Sequence, residues 1–452
     1  MSGLFGTLSM TARALDAQRA GLTVTGQNIA NLNTDGYARR ALLLAESLIG
    51  GVDVTGIRAR RDLLLDARVR QEIPAEAREA ALADSLSVIE ATLGRAGESI
   101  DARLSAFFDS FSALASDPTS TVARDGVIQQ GRLLARSFND VASGLAAARR
   151  EADAQIRTSV DQVNTLAARV ARLNESIAAA GDGEAEALRD EREVALQQLA
   201  ELADVAVINR ADGAVDVSVA NGRALVLGVS SYQIDVTSTP PDGLAALSIG
   251  DTDITTAITG GRLAGALYAR DTNIPAAQAQ LDALAYGVAQ SVNTVHQSGF
   301  DLDGNPGQAF FAPLAGAAGA AAALQLDAAI DANPSLVAAS GTGAPGDNQT
   351  ARALAGLRDE RTMAGGTATF SDSWGQLVYR VASDTQTARA EQRSRHEVVA
   401  QVARLRDQVS GVSLDEESAS MLKFQRAYEA NARFFSTVNT VLDTLMNVVG
   451  AA

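Results

Sequence analysis

Both ends of this chain carry apolar residues at every seventh position. The C-terminal series is Leu414, Met421, Tyr428, Phe435, Leu442 and Val449. A second series, offset by three, holds Phe424, Val438 and Leu445, with the polar Asn431 in step. The N-terminal series is Leu8, Leu15, Leu22 and Ile29. A seven-residue period draws a slowly winding apolar stripe along a helix, and another helix must cover that stripe to bury it. The spacing therefore predicts long helices at both ends. An ordinary monomeric bundle accounts for the heptads alone about as well as self-association does. Asn431 tips the balance toward association, because a lone buried Asn often sets register between helices.

The first helix has a marked stop. It runs into Asn28-Ile29-Ala30-Asn31, and Asn33 to Gly36 then reads as a turn, with Tyr37 anchoring the next segment. Asn and Gly best tolerate the left-handed backbone that closes a helix.

Asn28-Ile29-Ala30-Asn31, Thr34 and Gly36-Tyr37 together resemble the N-terminal signature of the bacterial flagellar axial proteins, the rod, hook and hook-associated family. The run from Phe424, Gln425 and Arg426 through Tyr428 and Asn431 to Arg433 is similar to the C-terminal signature of that family. Ser410-Gly411-Val412-Ser413-Leu414-Asp415-Glu416-Glu417 resembles the form found in its hook-associated branch. So do Phe107-Phe108 through Asp117-Pro118 and Gly299 through Gly307. Gly26-Gln27 and Ala38-Arg39 depart from the usual residues, and the chain is short for the family, which implies a reduced outer domain.

The resemblance implies a structural part of the flagellum at the junction of hook and filament, with no catalysis and no cofactor. It implies self-assembly into a ring or tube. The other partners would be the hook protein, the next junction protein (hook-associated protein 3) and a flagellar export chaperone on the C-terminal helix. It also implies an extracellular place reached through the flagellar type III export channel without a cleaved signal. The interface residues would be Leu8, Leu15, Leu22, Asn28, Ile29, Asn31, Gly36 and Tyr37. On the C-terminal helix they would be Leu414, Met421, Phe424, Gln425, Tyr428, Asn431, Phe435, Val438, Leu442 and Leu445. A rod or hook subunit would share both end signatures, and the extended helical interior argues against it. An exported adhesin or enzyme would need a groove or catalytic cluster in the middle, and the sequence offers neither.

Between the ends, Arg40 to Asp66 alternates around Gly50-Gly51 and predicts an extended or hairpin connection. Helix dominates from about Ala75 to Asp204, broken at Asp117-Pro118, with Pro118 suited to the first turn of the next helix. Val163, Leu166, Val170, Leu173 and Ile177 lead to Gly181-Asp182-Gly183, and Glu184 to Leu202 returns as the second arm of a helical hairpin. From Val205 to Thr259 the period switches to two, with turns at Asp212-Gly213, Asn221-Gly222 and Asp242-Gly243. Helix resumes from Gly261 to Gln297, and a last interior helix spans about Ser371 to Val409. Its expected core is Val381, Ala388, Val398, Val402 and Leu405.

The expected fold is mainly α with an inserted antiparallel β subdomain (α+β). Residues 1–44 and 405–452 form a paired, coiled-coil-like inner domain. Residues 45–204 and 260–404 form a helical bundle, and 205–259 an outer β subdomain that could be removed at little cost.

Charge fits this division. The net charge of -16 argues against binding nucleic acid or anionic membrane. Residues 1–73 hold nine Arg against seven acids, whereas 201–260 hold two Arg against eight. Balanced ends can pack on one another, and an acidic middle suits solvent. No cysteine is present, which excludes disulfides and thiolate metal sites. No run approaches a membrane span, and no signal-peptide pattern is visible.

Sites that could carry chemistry read more simply as structure. Asp301-x-Asp303-x-Asn305 starts like a calcium loop, but Pro306 and Ala312 stand where Gly and Glu are needed, so a turn is expected. His296 and His396 are the only histidines and are read as core or surface residues. The acids at 415–417 suit a helix start.

Overall fold

The computed structural model describes residues 2–47, 50–94 and 99–450. Met1, Ala451 and Ala452 of the expected inner domain lie outside these, as does the side chain of Val449. The chain is mainly helical with small antiparallel sheets. Among the described residues no helix is long and apolar enough to cross a membrane.

Helix α1 (Ser2–Ala30) leads into a β-hairpin of β1 (Arg40–Glu46) and β2 (Val52–Ala59). The expected boundary at residue 44 falls inside β1, and Leu44 pairs with Val54 across it. Then come α2 (Leu63–Leu93), α3 (Ile100–Ser116), the 59-residue α4 (Thr121–Ala179) and α5 (Asp182–Leu202). Side-chain caps set the starts: Asp62 accepts from the Leu64 amide, and Ser120 from that of Ala123. Pro118 therefore sits in the turn two residues ahead of the cap and three before the first helical residue, outside the first turn where it was expected. The hydroxyl of Ser120 holds one of the free amides of the first turn, that of Ala123.

The alternating segment folds as two sheets. One has β3 (Ala206–Asn209), β4 (Val215–Val219), β5 (Arg223–Leu227) and β6 (Ser230–Ser231) in sequential order. The other has β7 (Asp235–Thr239), β8 (Leu244–Ile249) and β9 (Thr252–Asp253). Helix returns as α6 (Gly261–Tyr268), a π turn over Ala269–Asn273 and α7 (Ile274–Gln297). Short helices α8 (Ala320–Ala323), α9 (Ala328–Ala332) and α10 (Gln349–Gly356) stud the loops after α7. The last two helices are α11 (Phe370–Ser410), opened by a capping box between Thr369 and Asp372, and α12 (Leu414–Gly450).

Two cores lie along α4. The first takes the N-terminal part of α4 with α2, α3, α7, α10 and α11. Its centre is a ring cluster: Phe107 meets Phe111 edge-on at 5.3 Å, Phe310 meets Phe311 at 5.0 Å, and Phe108 stacks on Phe370 at 6.0 Å. His296 is buried beside it. The second core takes the later part of α4 with α5, α6 and the sheets: Ile156, Val163 and Val170 join Val215, Val217, Val226 and Leu247. The β segment thus shares its core with α4, α5 and α6. β4 offers one apolar face through Val215, Val217 and Val219, β8 another through Ala245 and Leu247, and both join the core of α4 and α5.

The 301–305 loop closes on itself as expected. The Asp301 carboxylate accepts from the amides of Asp303 and Asn305 and from the Asn305 side chain. Of the expected α11 core, Val381 and Ala388 are buried, whereas Leu405 is exposed. Helix α2 runs antiparallel to α11, with Arg389 on Ser87 and His396 on Glu76, and it covers only one side of it.

Candidate functional site: the end-helix interface

The two end helices pair. Asn28 donates to Glu417 at 3.0 Å, and Gly21 faces Phe424. Seven residues back along α1 match seven forward along α12, so the helices run antiparallel in heptad register. This brings both chain ends to one pole.

The contact surface on α1 differs from the one expected. Leu8, Leu15, Leu22 and Ile29 are half-buried flanks. The buried line is Ala17, Gly21, Val24 and Asn28, small residues at three- and four-residue steps. Small side chains let the Phe424 ring reach the α1 backbone. A Cβ at residue 21 would fall 2.6 Å from that ring. On α12, Val438 is buried, and Met421, Phe424, Asn431, Phe435 and Leu442 are half-buried. Leu414, Gln425, Tyr428 and Leu445 are exposed. The register explains the ends of the series: Leu414 lies beyond Ala30, where α1 stops, and Leu445 lies beyond Ser2, where α1 begins. Tyr428 stands on the flank of the seam. No described group hydrogen-bonds the Asn431 side chain within the subunit.

A polar joint fixes the top of this pair to the rest of the molecule. The Asn28 amide also donates to the Arg40 carbonyl at 2.9 Å, and its oxygen accepts from the Arg40 amide and the Tyr37 hydroxyl, each at 2.9 Å. All four hydrogen-bonding sites of this buried side chain are used. Glu417, also buried, receives Arg39 at 2.7 Å, and Arg39 reaches Glu416 at 2.6 Å. The Arg39 amide donates to the Ser410 carbonyl at 2.8 Å. Asn31 closes α1 through Gln27 and Thr34. Gly36 takes φ +74°, and a side chain there would collide with Val194 of α5.

Arg40 and Arg61 both converge on Asp190 of α5, and Arg70 binds Glu193 at 2.6 Å. Asp66 lies among these groups. Burial, then the neighbouring Glu193, pushes its carboxyl up to about 6, against the pull of Arg61, Arg70 and Arg406. Burial raises Tyr37 as well, although Arg40 lies 5.1 Å over its ring.

The sequence motif singled out the helices, Asn28 and Tyr37, but as contacts between copies, whereas the structure places both residues in a joint within the chain. Sequence reading missed Gly21, because it sought large apolar residues. It missed the joint because ion pairs across hundreds of positions leave no period; the dense arginines at 39–40, 58–61 and 68–70 were the available signal. Among the described residues, no group of three His, Asp or Glu is placed to hold a metal.

Comparison with known proteins fits this layout. Residues 8–37 match the family described as flagella basal body rod protein, and 407–448 match the flagellar basal body rod FlgEFG protein C-terminal family. The chain is 28% identical to flagellar hook-associated protein 1 of Bacillus subtilis, over 100% of this chain and 99% of that one. It is 25% identical to the Escherichia coli protein of the same name, over 96% and 98%. The solved flagellar hook junction protein FlgK from Burkholderia pseudomallei shares the fold, with TM-score 0.66 and 17% identity, over 76% of this chain and 100% of that one. Half of the chain, residues 86–311, which carry most of both cores, matches the helical domain of the flagellar hook-associated protein FlgK, and the chain belongs to that family.

Proposed function

We infer that this protein is a structural component of the bacterial flagellum, forming the junction between hook and filament and enabling filament assembly. The carrying observation is the end-helix pair: α12 meets α1 on one face and leaves Leu414, Tyr428, Phe434 and Val441 in solvent. A soluble single subunit gains nothing from this apolar surface, whereas an assembling one buries it. The half-buried Asn31, Gly36 and Tyr37 belong to the joint that sets the angle of the pair, and the heptad residues supply the contacts between copies.

In this reading residues 1–44 and 405–452 line the inner tube. Residues 45–204 and 260–404 surround it with the helical domain, and 205–259 face outward on the far end of α4. The hook protein lies on one side along the axis and hook-associated protein 3 on the other. A flagellar export chaperone covers the α12 stripe before assembly, and the chain leaves the cell through the flagellar export channel without a cleaved signal. It acts by shape and contact, with no catalytic step and no cofactor.

The test is position on the organelle. Labelling of intact flagella under electron microscopy should give a thin band at the hook tip. Label along the whole hook, or at the rod, would replace this reading with that of a hook or rod subunit.

A further inference from the structure

The hairpin of β1 and β2 carries an apolar face that its own chain leaves uncovered. Leu44 and Val54 form a cross-strand pair, 50% and 41% exposed. The next pair outward, Glu46 and Val52, is exposed too. On α12, two residues before Phe424, Leu422 turns away from α1 and is 55% exposed. Arg426 and Arg433, four and eleven positions on, continue the same outer ridge. Neither arginine, nor Glu46, has an ion-pair partner among the described residues.

We propose that the hairpin of one subunit docks on the outer ridge of α12 of the next, with Leu44 and Val54 on Leu422 and Glu46 beside Arg426 and Arg433. The proposal rests on the self-assembly inferred above and names the surfaces that carry it. The occupant is a second copy of this chain, for three reasons. Asn28 bonds both Arg40 and Glu417, so the hairpin base and the start of α12 lie at one level. Four strand residues from Arg40 to Leu44 rise roughly 13 Å. Nine helical residues from Glu417 to Arg426 rise roughly 13 Å as well. A copy shifted sideways thus brings the apolar pair level with Arg426, about one helical turn past Leu422, and Glu46 between the levels of Arg426 and Arg433.

Within one chain this contact does not form, because the hairpin and α12 each pack on α1 and not along one another. The two surfaces also differ in kind. Their joining is head-to-tail, which propagates around an axis instead of stopping at a dimer.

The absence of cysteine allows a direct test. Full-length Leu44→Cys and Leu422→Cys are expressed together in flagellated cells lacking the native copy, and isolated hook–junction particles are treated with a short bismaleimide. A cross-linked dimer should form only when both variants are present, and the double variant should give a ladder of multimers. Junctions that assemble without the mixed dimer, or Leu422→Cys linking to itself, would overturn the docking while leaving self-assembly intact. Absence of the unsubstituted chain from the junction would overturn both. Charge exchange gives a second readout. Glu46→Arg should cause loss of filaments, and Arg426→Glu with Arg433→Glu should restore them in the same chain. Failure to restore counts against the pairing.

Discussion

The ring of Phe424 lies so close to the backbone of Gly21 that a methyl group at residue 21 would fall 2.6 Å from it. The α1–α12 seam depends on that absence of a side chain. Gly21→Ala gains about 1 kcal/mol of helix propensity and loses about 1–3 kcal/mol to overpacking. Gly21→Val adds bulk without that gain. Limited proteolysis should show α12 cleaved faster in Gly21→Val than in Gly21→Ala, and Phe424→Leu should rescue part of the loss. Equal protection in all three would mean that the helices separate freely in the monomer.

Glu417 is the acceptor on which Asn28 and Arg39 meet. Glu417→Ala leaves one Asn28 amide hydrogen and the Arg39 Nε–H unpaired, while the Arg40 carbonyl and Glu416 still hold the rest of each side chain, at a cost of about 1–3 kcal/mol to the joint. Glu417→Gln keeps the amide contact and loses the charge, so its effect should be smaller. Hydrogen exchange should quicken at residues 37–60 in the Ala variant while residues 100–180 stay protected. An unchanged hairpin would remove Glu417 from its assigned role.

Tyr428 and Phe435 belong to one heptad series and separate two properties. Tyr428 is 40% exposed, so Tyr428→Asp should leave the thermal midpoint of the isolated subunit unchanged and abolish filament growth. Phe435 is half-buried, and Phe435→Asp should loosen the seam as well, by about 1–3 kcal/mol. Swimming by the Tyr428 variant would take the flank out of the assembly surface.

The ends were legible because a heptad is a local signal, and Asn28 and Tyr37 were legible through a motif. Ala17 and Gly21 were not: small residues score as nothing in a search for apolar stripes, although close approach of two helices requires them. The shared core of α4 and the strands was hidden for another reason. Val215, Val217 and Val219 announce a strand with one apolar face, and no pattern in the strand says which helix covers it. The acidic balance of that segment suggested a free module, because charge reports the outer face alone.

The β segment therefore answers deletion differently from what its composition suggests. Removing 205–259 uncovers Ile156, Val163 and Val170 on α4. Such a chain should lose cooperative unfolding, bind a hydrophobic dye and fail to support junctions. A deletion that melts as sharply as the full chain would restore the detachable reading.

His296 gives the helical domain an acid limit. Its Nδ1 lies 2.6 Å from the Gln308 carbonyl, and its Nε2 accepts from the Ala338 amide at 2.8 Å. A proton on Nε2 would face that amide donor head-on. Burial holds the imidazole down to about 4, below its ordinary 6.5. The unfolded chain takes up the proton first, so stability is full above 6.5 and falls as pH drops toward 4. The loss approaches about 3 kcal/mol. Asp66 acts in the opposite sense: its raised pKa leaves the joint at full strength below 3.8, and that contribution is lost as pH rises to about 6. Denaturant titrations across pH should show the first slope vanish in His296→Gln and the second in Asp66→Asn.

Helix α4 runs unbroken through both cores over 59 residues, a length of roughly 90 Å. No loop interrupts it where one core gives way to the other. A twist imposed at the phenylalanine cluster is carried to the sheets by a continuous ladder of backbone hydrogen bonds. For a part that sits in a rotating shaft, this makes α4 the spar of the subunit: torque crosses it as elastic strain, with no flexible coupling to wear or slip.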